Sequence, residues 1–208
     1  MIKKVTGMLK NKIVLAFLFT IFLGKSVVAN ADYNKGLIAY YNGDYETVLA
    51  EMMPLAEQGD AAAQHYLALM YDFGKGLPEN DEIAVKWYTK AAEQGVVRAY
   101  FRLGFMYGNG HGVPQNDRTA VLWYIKAAEL GDADAQYNLA LKYRKGEGVP
   151  QNDKIAVKWY KEAAEQEIAE AQTNLGYMYA NGYGVLTCLL YTSPSPRDLS
   201  TSRMPSSA

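Results

Sequence analysis

Apolar residues recur along this chain at the spacing of an α-helix, and the recurrence is itself periodic. Ala63, Leu67, Ala68, Met70 and Tyr71 fall on one face of a helix with about 3.6 residues per turn. This first stripe predicts a helix, called A. The segment Gly74-Lys75-Gly76 ends it, Pro78 bars its continuation, and Asn80-Asp81 offers short oxygens to cap the next helix. A second stripe follows, Ala84, Val85, Trp87, Tyr88, Ala91 and Ala92, which predicts a helix B closed by Gly95.

The pair of stripes is then repeated. AVKWYTKAAEQG ending at Gly95 returns as AVLWYIKAAELG ending at Gly131 and as AVKWYKEAAEQE ending at Glu167. Tryptophan occurs only at Trp87, Trp123 and Trp159, at a constant interval of 36 residues, which points to a stacked repeat architecture. The units are 60–95, 96–131 and 132–167, followed by helix A of a fourth, 168–185. Paired glycines end every helix A, at Gly74 and Gly76, Gly110 and Gly112, Gly146 and Gly148, and Gly182 and Gly184. A lone hairpin cannot bury both of its stripes, so each unit must lean on the next. The size pattern says how: Trp87 and Tyr88 fill gaps left by Ala63, Ala84, Ala91 and Ala92, with Gly104 and Gly176 at the position of Ala68. Ahead of the series, Tyr33 to Asn42, Gly43-Asp44 and Tyr45 to Glu57 predict a hairpin with a shorter turn, an N-terminal cap over 32–59.

The stretch AYFRLGFMYGNGHGVPQNDRTAVLWYIKAAELG from Ala99 to Gly131 resembles the Sel1-like repeat, a relative of the tetratricopeptide repeat, and the resemblance covers about 60–185. It implies an all-α fold, a right-handed solenoid of antiparallel helix pairs, used as a scaffold that binds a protein or peptide. By the same resemblance ligands lie on a concave surface made by helix A residues outside the packing motif. Carried onto this sequence, that set is Ala62, His65, Leu69, Asp72 and Phe73 in the first unit and Arg98, Phe101, Phe105, Gly108 and Asn109 in the second. In the third it is Asp134, Tyr137, Leu141, Arg144 and Lys145. These positions change from unit to unit while the motif does not. Two readings of Phe101, Phe105, Tyr137 and Tyr177 stand side by side: anchors of a binding groove, or packing against the adjacent helix A.

Composition narrows the function classes. Half of the residues are apolar and the formal charge is −1, so no basic surface marks nucleic acid as a partner. Lys3, Lys4, Lys10 and Lys12, the apolar run Ile13 to Leu23, and Ala29-Asn30-Ala31 read as a secretory signal over 1–31, cut between Ala31 and Asp32. The apolar run falls short of the roughly 20 residues a membrane-spanning helix needs. The expected product is periplasmic or secreted, without stable membrane insertion, and carries 16 basic and 22 acidic residues. Its sole cysteine, Cys188, leaves no internal disulfide.

Chemistry has few footholds. His65 and His111 stand alone, and no paired-cysteine or HExxH spacing occurs, so no metal or other cofactor is expected. The GxG pairs follow a helix instead of a strand and lack the third glycine and lysine of a phosphate loop. Asp81, Asp117, Asp153 and Glu93, Glu129, Glu165 recur in every unit, as structural residues do; catalysis needs one site. Cysteine-rich relatives are linked to β-lactam binding, but their cysteine pairs do not occur here. The expectation is therefore an exported, non-enzymatic scaffold. Its alternatives are a cell-wall-active hydrolase of this class and a structural adaptor in an envelope complex.

The C-terminal residues 186–208 break the pattern. Where two earlier units continue with Pro-Gln-Asn-Asp, this one reads LTCLLYTSPSPRD, which resembles translated sequencing-library adapter and holds the only cysteine. The segment is expected to be disordered and foreign to the repeat.

Overall fold

The computed structural model describes residues 31–184, and the expected leader and foreign tail lie outside them. Among the described residues every regular element is an α-helix. In order these are α1 Tyr33–Asn42, α2 Tyr45–Glu57, α3 Ala61–Asp72, α4 Asp81–Glu93, α5 Val97–Asn109, α6 Asp117–Glu129, α7 Ala133–Lys145, α8 Asp153–Glu165 and α9 Ala169–Ala180. The chain divides into two compact units, residues 1–79 and 80–208, the division falling after Glu79.

In the first unit α1 packs on α2 and α2 on α3. Gly36 makes the close approach of α1 to α2 possible: a Cβ there would fall 2.7 Å from Met52 Cγ. Val48, Met52 and Ala56 of α2 and Ala63, Leu67 and Met70 of α3 are buried. Pro54 stands inside α2.

In the second unit α4 to α9 pack in sequence, each on the next. The asparagine of each Asn-Asp pair is the cap: Asn80, Asn116 and Asn152 accept from the backbone N–H of Ile83, Thr119 and Ile155 at 3.0, 3.0 and 3.1 Å. That bond satisfies one of the donors a helix start leaves unpaired. The loops before the second and third caps are pinned to their A helices, since Asn116 N donates to Tyr107 O and Asn152 N to Tyr143 O, both at 2.8 Å.

The plug between helices is the tyrosine of the WY pair. Tyr124 and Tyr160 are buried, and a Cβ added to Gly104 would lie 2.6 Å from the Tyr124 ring. The small residue on helix A is thus the seat of the tyrosine on helix B, and Ala140 with Tyr160 repeats the arrangement in one core cluster. The tryptophans are half-buried instead of filling the gap. Trp123 stacks on Tyr100 at 5.8 Å, and each tryptophan lies under a lysine: Lys90 over Trp87 at 4.0 Å, Lys126 over Trp123 at 4.4 Å, Lys158 over Trp159 at 4.6 Å. Each ammonium faces its ring at cation–π distance while the lysine itself stays exposed.

The second glycine of each GxG pair does more than end a helix. A Cβ at Gly112 would meet Asp81 C at 2.4 Å, at Gly148 Asp117 O at 2.4 Å, and at Gly184 Asp153 O at 2.3 Å. Each loop therefore rests, backbone on backbone, on the first turn of the preceding helix B. On α9, Met178 is buried against the α8 cluster, Leu175 is half-buried and Tyr179 is exposed. No described atom lies within 4 Å of a Cβ at Gly176, the position that seats a tyrosine in the second unit's earlier repeat.

Candidate partner-binding cleft

The second halves of α5 and α7 bring five of the expected groove residues together. Phe105 and Asn109 of α5 and Leu141 and Lys145 of α7, with Gly108, line a cleft of about 430 Å³. Gln115, Asp117, Tyr124, Asn138, Lys142 and Glu147 complete its wall. Asn109 and Asn138 each donate through Nδ2 to the carbonyl one turn back, Phe105 O and Asp134 O, at 2.8 Å. These bonds fix both amides on their own helices. The Arg102 guanidinium lies 5.2 Å over the Phe105 ring, and His111 meets the same ring edge-on at 5.6 Å.

Lys142 is the unusual member. It occupies the position that Met70, Met106 and Met178 hold in the other repeats, where each methionine is fully buried. Its side chain is 15% exposed, and its ammonium reaches Asp117 Oδ1 at 2.7 Å and Glu147 Oε2 at 2.8 Å. Burial alone would lower the lysine pKa, but the hydrogen bonds to the two carboxylates outweigh it and hold the pKa above its ordinary value. In return, Lys142 holds the Glu147 carboxyl below the usual range. Burial raises the pKa of Tyr124, so its hydroxyl stays protonated. The cleft therefore offers the Phe105, Leu141 and Tyr124 side chains, two fixed amides and an ionic cluster in which Lys142 and Lys145 face Asp117 and Glu147.

The other expected site residues lie elsewhere. Arg98 bridges repeats, donating to Asp132 at 3.0 Å and Asp134 at 2.8 Å while its guanidinium covers Phe101 at 5.7 Å. Phe101 lies against Tyr124 at 6.1 Å and Tyr137 against Tyr160 at 6.0 Å, each among the residues packed on a core cluster. Arg144 donates to Asn174 at 3.0 Å and covers the Tyr177 ring at 5.1 Å. In the first unit, His65 sits edge-on to Tyr66, Leu69 is half-buried, Asp72 is buried and Phe73 is exposed under the Lys75 ammonium. Asp32, beside the expected cleavage point, is the N-cap of α1.

Lys142, Asn138, Gln115, Asp117 and Glu147 were not in the set carried over from the resemblance. The signal for Lys142 was present: three repeats read MY where the third reads KY. A packing motif broken once marks a position under a different demand. Among the described residues no group of three or more His, Cys, Asp or Glu could hold a metal ion, and no helix is long and apolar enough to cross a membrane.

Tandem antiparallel helix pairs with a cleft between successive A helices define a helical repeat protein of the solenoid class. The family model described as Sel1 repeat matches residues 61–96, 97–132, 133–167 and 169–187, and the chain belongs to that family. Proteins built from these repeats generally mediate protein–protein interactions. Similar solved structures include a Sel1 repeat protein from Oxalobacter formigenes, 39% identical over 76% of this chain and 64% of its own, with a TM-score of 0.71. Another is c5321, a protective antigen of uropathogenic Escherichia coli strains with an SLR fold, 38% identical over 67% of this chain and 30% of its own, TM-score 0.66. Helicobacter pylori cysteine rich protein B is 26% identical over 62% of this chain and 96% of its own, TM-score 0.52. The chain thus spans less than two thirds of the first two structures. No curated protein matches it.

Proposed function

We propose that this chain is an exported scaffold that holds a protein or peptide partner in the cleft between α5 and α7. The observation that carries the reading is that Phe105, Asn109, Leu141 and Lys145, positions that vary between repeats, converge on one cleft of about 430 Å³. Export follows from the leader-like residues 1–31 and places the partner in the periplasm or outside the cell. No catalytic role enters the reading: Lys142 is shared between Asp117 and Glu147, and Lys145 stands 3.7 Å from Glu147, so the ionisable groups of the cleft are held to one another.

The test is site-specific photo-crosslinking in an exporting host, with benzoylphenylalanine at position 141 in the cleft or at position 122, where Leu122 is exposed on α6. Position 141 is expected to yield discrete adducts that weaken when Asn109→Ala and Lys145→Glu are combined. Equal adducts from both positions would refute the cleft. Alanine at Phe101 and Tyr137 is the poorer probe, because both rings pack on the core.

A further inference from the structure

We infer that removal of residues 1–31 creates an α-ammonium group at Asp32 that docks on Glu51 and fastens α1 to α2. The cleavage point rests on the export reading; the docking rests on geometry alone. Asp32 N already donates to Glu51 Oε2 at 2.9 Å, and Lys35 Nζ lies 2.5 Å from Glu51 Oε1. The Glu51 side chain is only 13% exposed. It is held over the first turn of α1 by the glycine contact, since a Cβ at Gly36 would sit 3.3 Å from Glu51 Cβ. The receiving carboxylate is therefore in place before the ammonium exists.

Charge favours the same conclusion. In the uncut chain the corner holds two carboxylates, Asp32 and Glu51, against one cation, Lys35. The next charges act on the periphery, Asp44 of α2 on Lys35 and Asp60 ahead of α3 on Tyr33. Hydrolysis adds the elements of water across the Ala31–Asp32 peptide bond, leaving a carboxylate on Ala31 and an ammonium on Asp32. The neutral amide donor becomes a cation, and the corner reaches neutrality. An unanchored ammonium at a helix N-terminus would instead oppose the helix dipole and titrate below its ordinary range. The sign of its pKa shift thus reports docking. Asp32 caps α1 through its own side chain, accepting from Asn34 N at 2.9 Å, so the first residue left by the cut is the one that starts the helix.

Two measurements test this. The chain beginning at Asp32 is made by scarless removal of a fusion partner, and its α-amine is titrated by NMR. The expected pKa lies about half a unit or more above the free-peptide value near 7.7–8.0, and Glu51→Gln brings it back to or below that value. A chain that keeps Ala31 serves as the second variant, and its amine is expected to titrate normally. A pKa at or below the ordinary value in the unmodified chain, or one that ignores Glu51→Gln, overturns the docking. The full chain is also expressed in an exporting host and its N-terminus sequenced. A start at Asp-Tyr-Asn-Lys supports the cut; any other first residue overturns it while leaving the cleft reading intact, and an untouched leader overturns export as well.

Discussion

Gly131 and Gly148 both hold left-handed backbone, at φ 89° and 76°, yet replacing each with alanine should cost different amounts. For Gly131 the penalty is conformational only, about 1 kcal/mol, because nothing lies within 4 Å of the added methyl. For Gly148 the same term applies and a second joins it. The new Cβ would stand 2.4 Å from Asp117 O and 2.5 Å from Asp117 C, where ordinary contacts begin near 3.4 Å. The loop and the first turn of α6 must then separate by roughly 1 Å, which adds about 1–3 kcal/mol by the usual cost of overpacking. The separation also pulls on the Lys142–Asp117 bond, which spans the same seam. Urea denaturation followed by tryptophan fluorescence measures both variants, since Trp123 and Trp159 lie in the two repeats concerned. Gly148→Ala should lose about 2–4 kcal/mol against about 1 kcal/mol for Gly131→Ala. Equal losses would show that the backbone seam is not the close contact described here.

Glu167 holds φ 66° where Gly95 and Gly131 stand in earlier repeats, so Glu167→Gly should raise stability by about 1 kcal/mol, seen as a higher urea midpoint. Tyr124→Ala should cost about 3–5 kcal/mol and Trp123→Ala clearly less, because the tyrosine is buried in its glycine seat and the tryptophan is half-buried; thermal unfolding ranks the pair. Lys142→Met should leave stability equal or higher, by up to roughly 2 kcal/mol, while weakening crosslinking from position 141; a loss of stability would contradict the account of its ionic cluster. The Glu147 carboxyl titrates below its unfolded value, so its contribution is complete above that value and disappears as pH falls through the folded one. Glu147→Gln should therefore flatten the acid side of the stability profile and leave neutral pH to alkaline behaviour nearly parallel to the parent chain.

Much of this was legible in the residues. The capping hairpin was read as Tyr33 to Asn42 and Tyr45 to Glu57, and α1 and α2 have those bounds, because Gly43, Asp44 and Gly59 punctuate them. Glu167 keeps the left-handed backbone of Gly95 and Gly131 despite its side chain, since the turn is set by the repeat and not by the residue. Which aromatic of the WY pair goes inside was not legible. Neighbouring residues on a helix point about 100° apart, and both lie on the apolar stripe until the partner helix chooses one. The GxG pairs were read as helix ends; their second glycine also admits another repeat's main chain, a long-range contact that local spacing does not encode. Half of the cleft was visible as varying helix A positions. The other half comes from two loops, from α6, and from Asn138 and Lys142 of α7; a transferred surface pattern omits Lys142, but a single broken methionine column reveals it.

The main-chain joints at Gly112, Gly148 and Gly184 ask nothing of the neighbouring side chains beyond the glycine itself. A block of 36 residues can therefore be duplicated or excised and the surviving joints still close, whichever residues the outer faces bear. Length and outer surface are thus separable in such a chain: copying a block extends the molecule, and point changes on its A helices alter the face it presents.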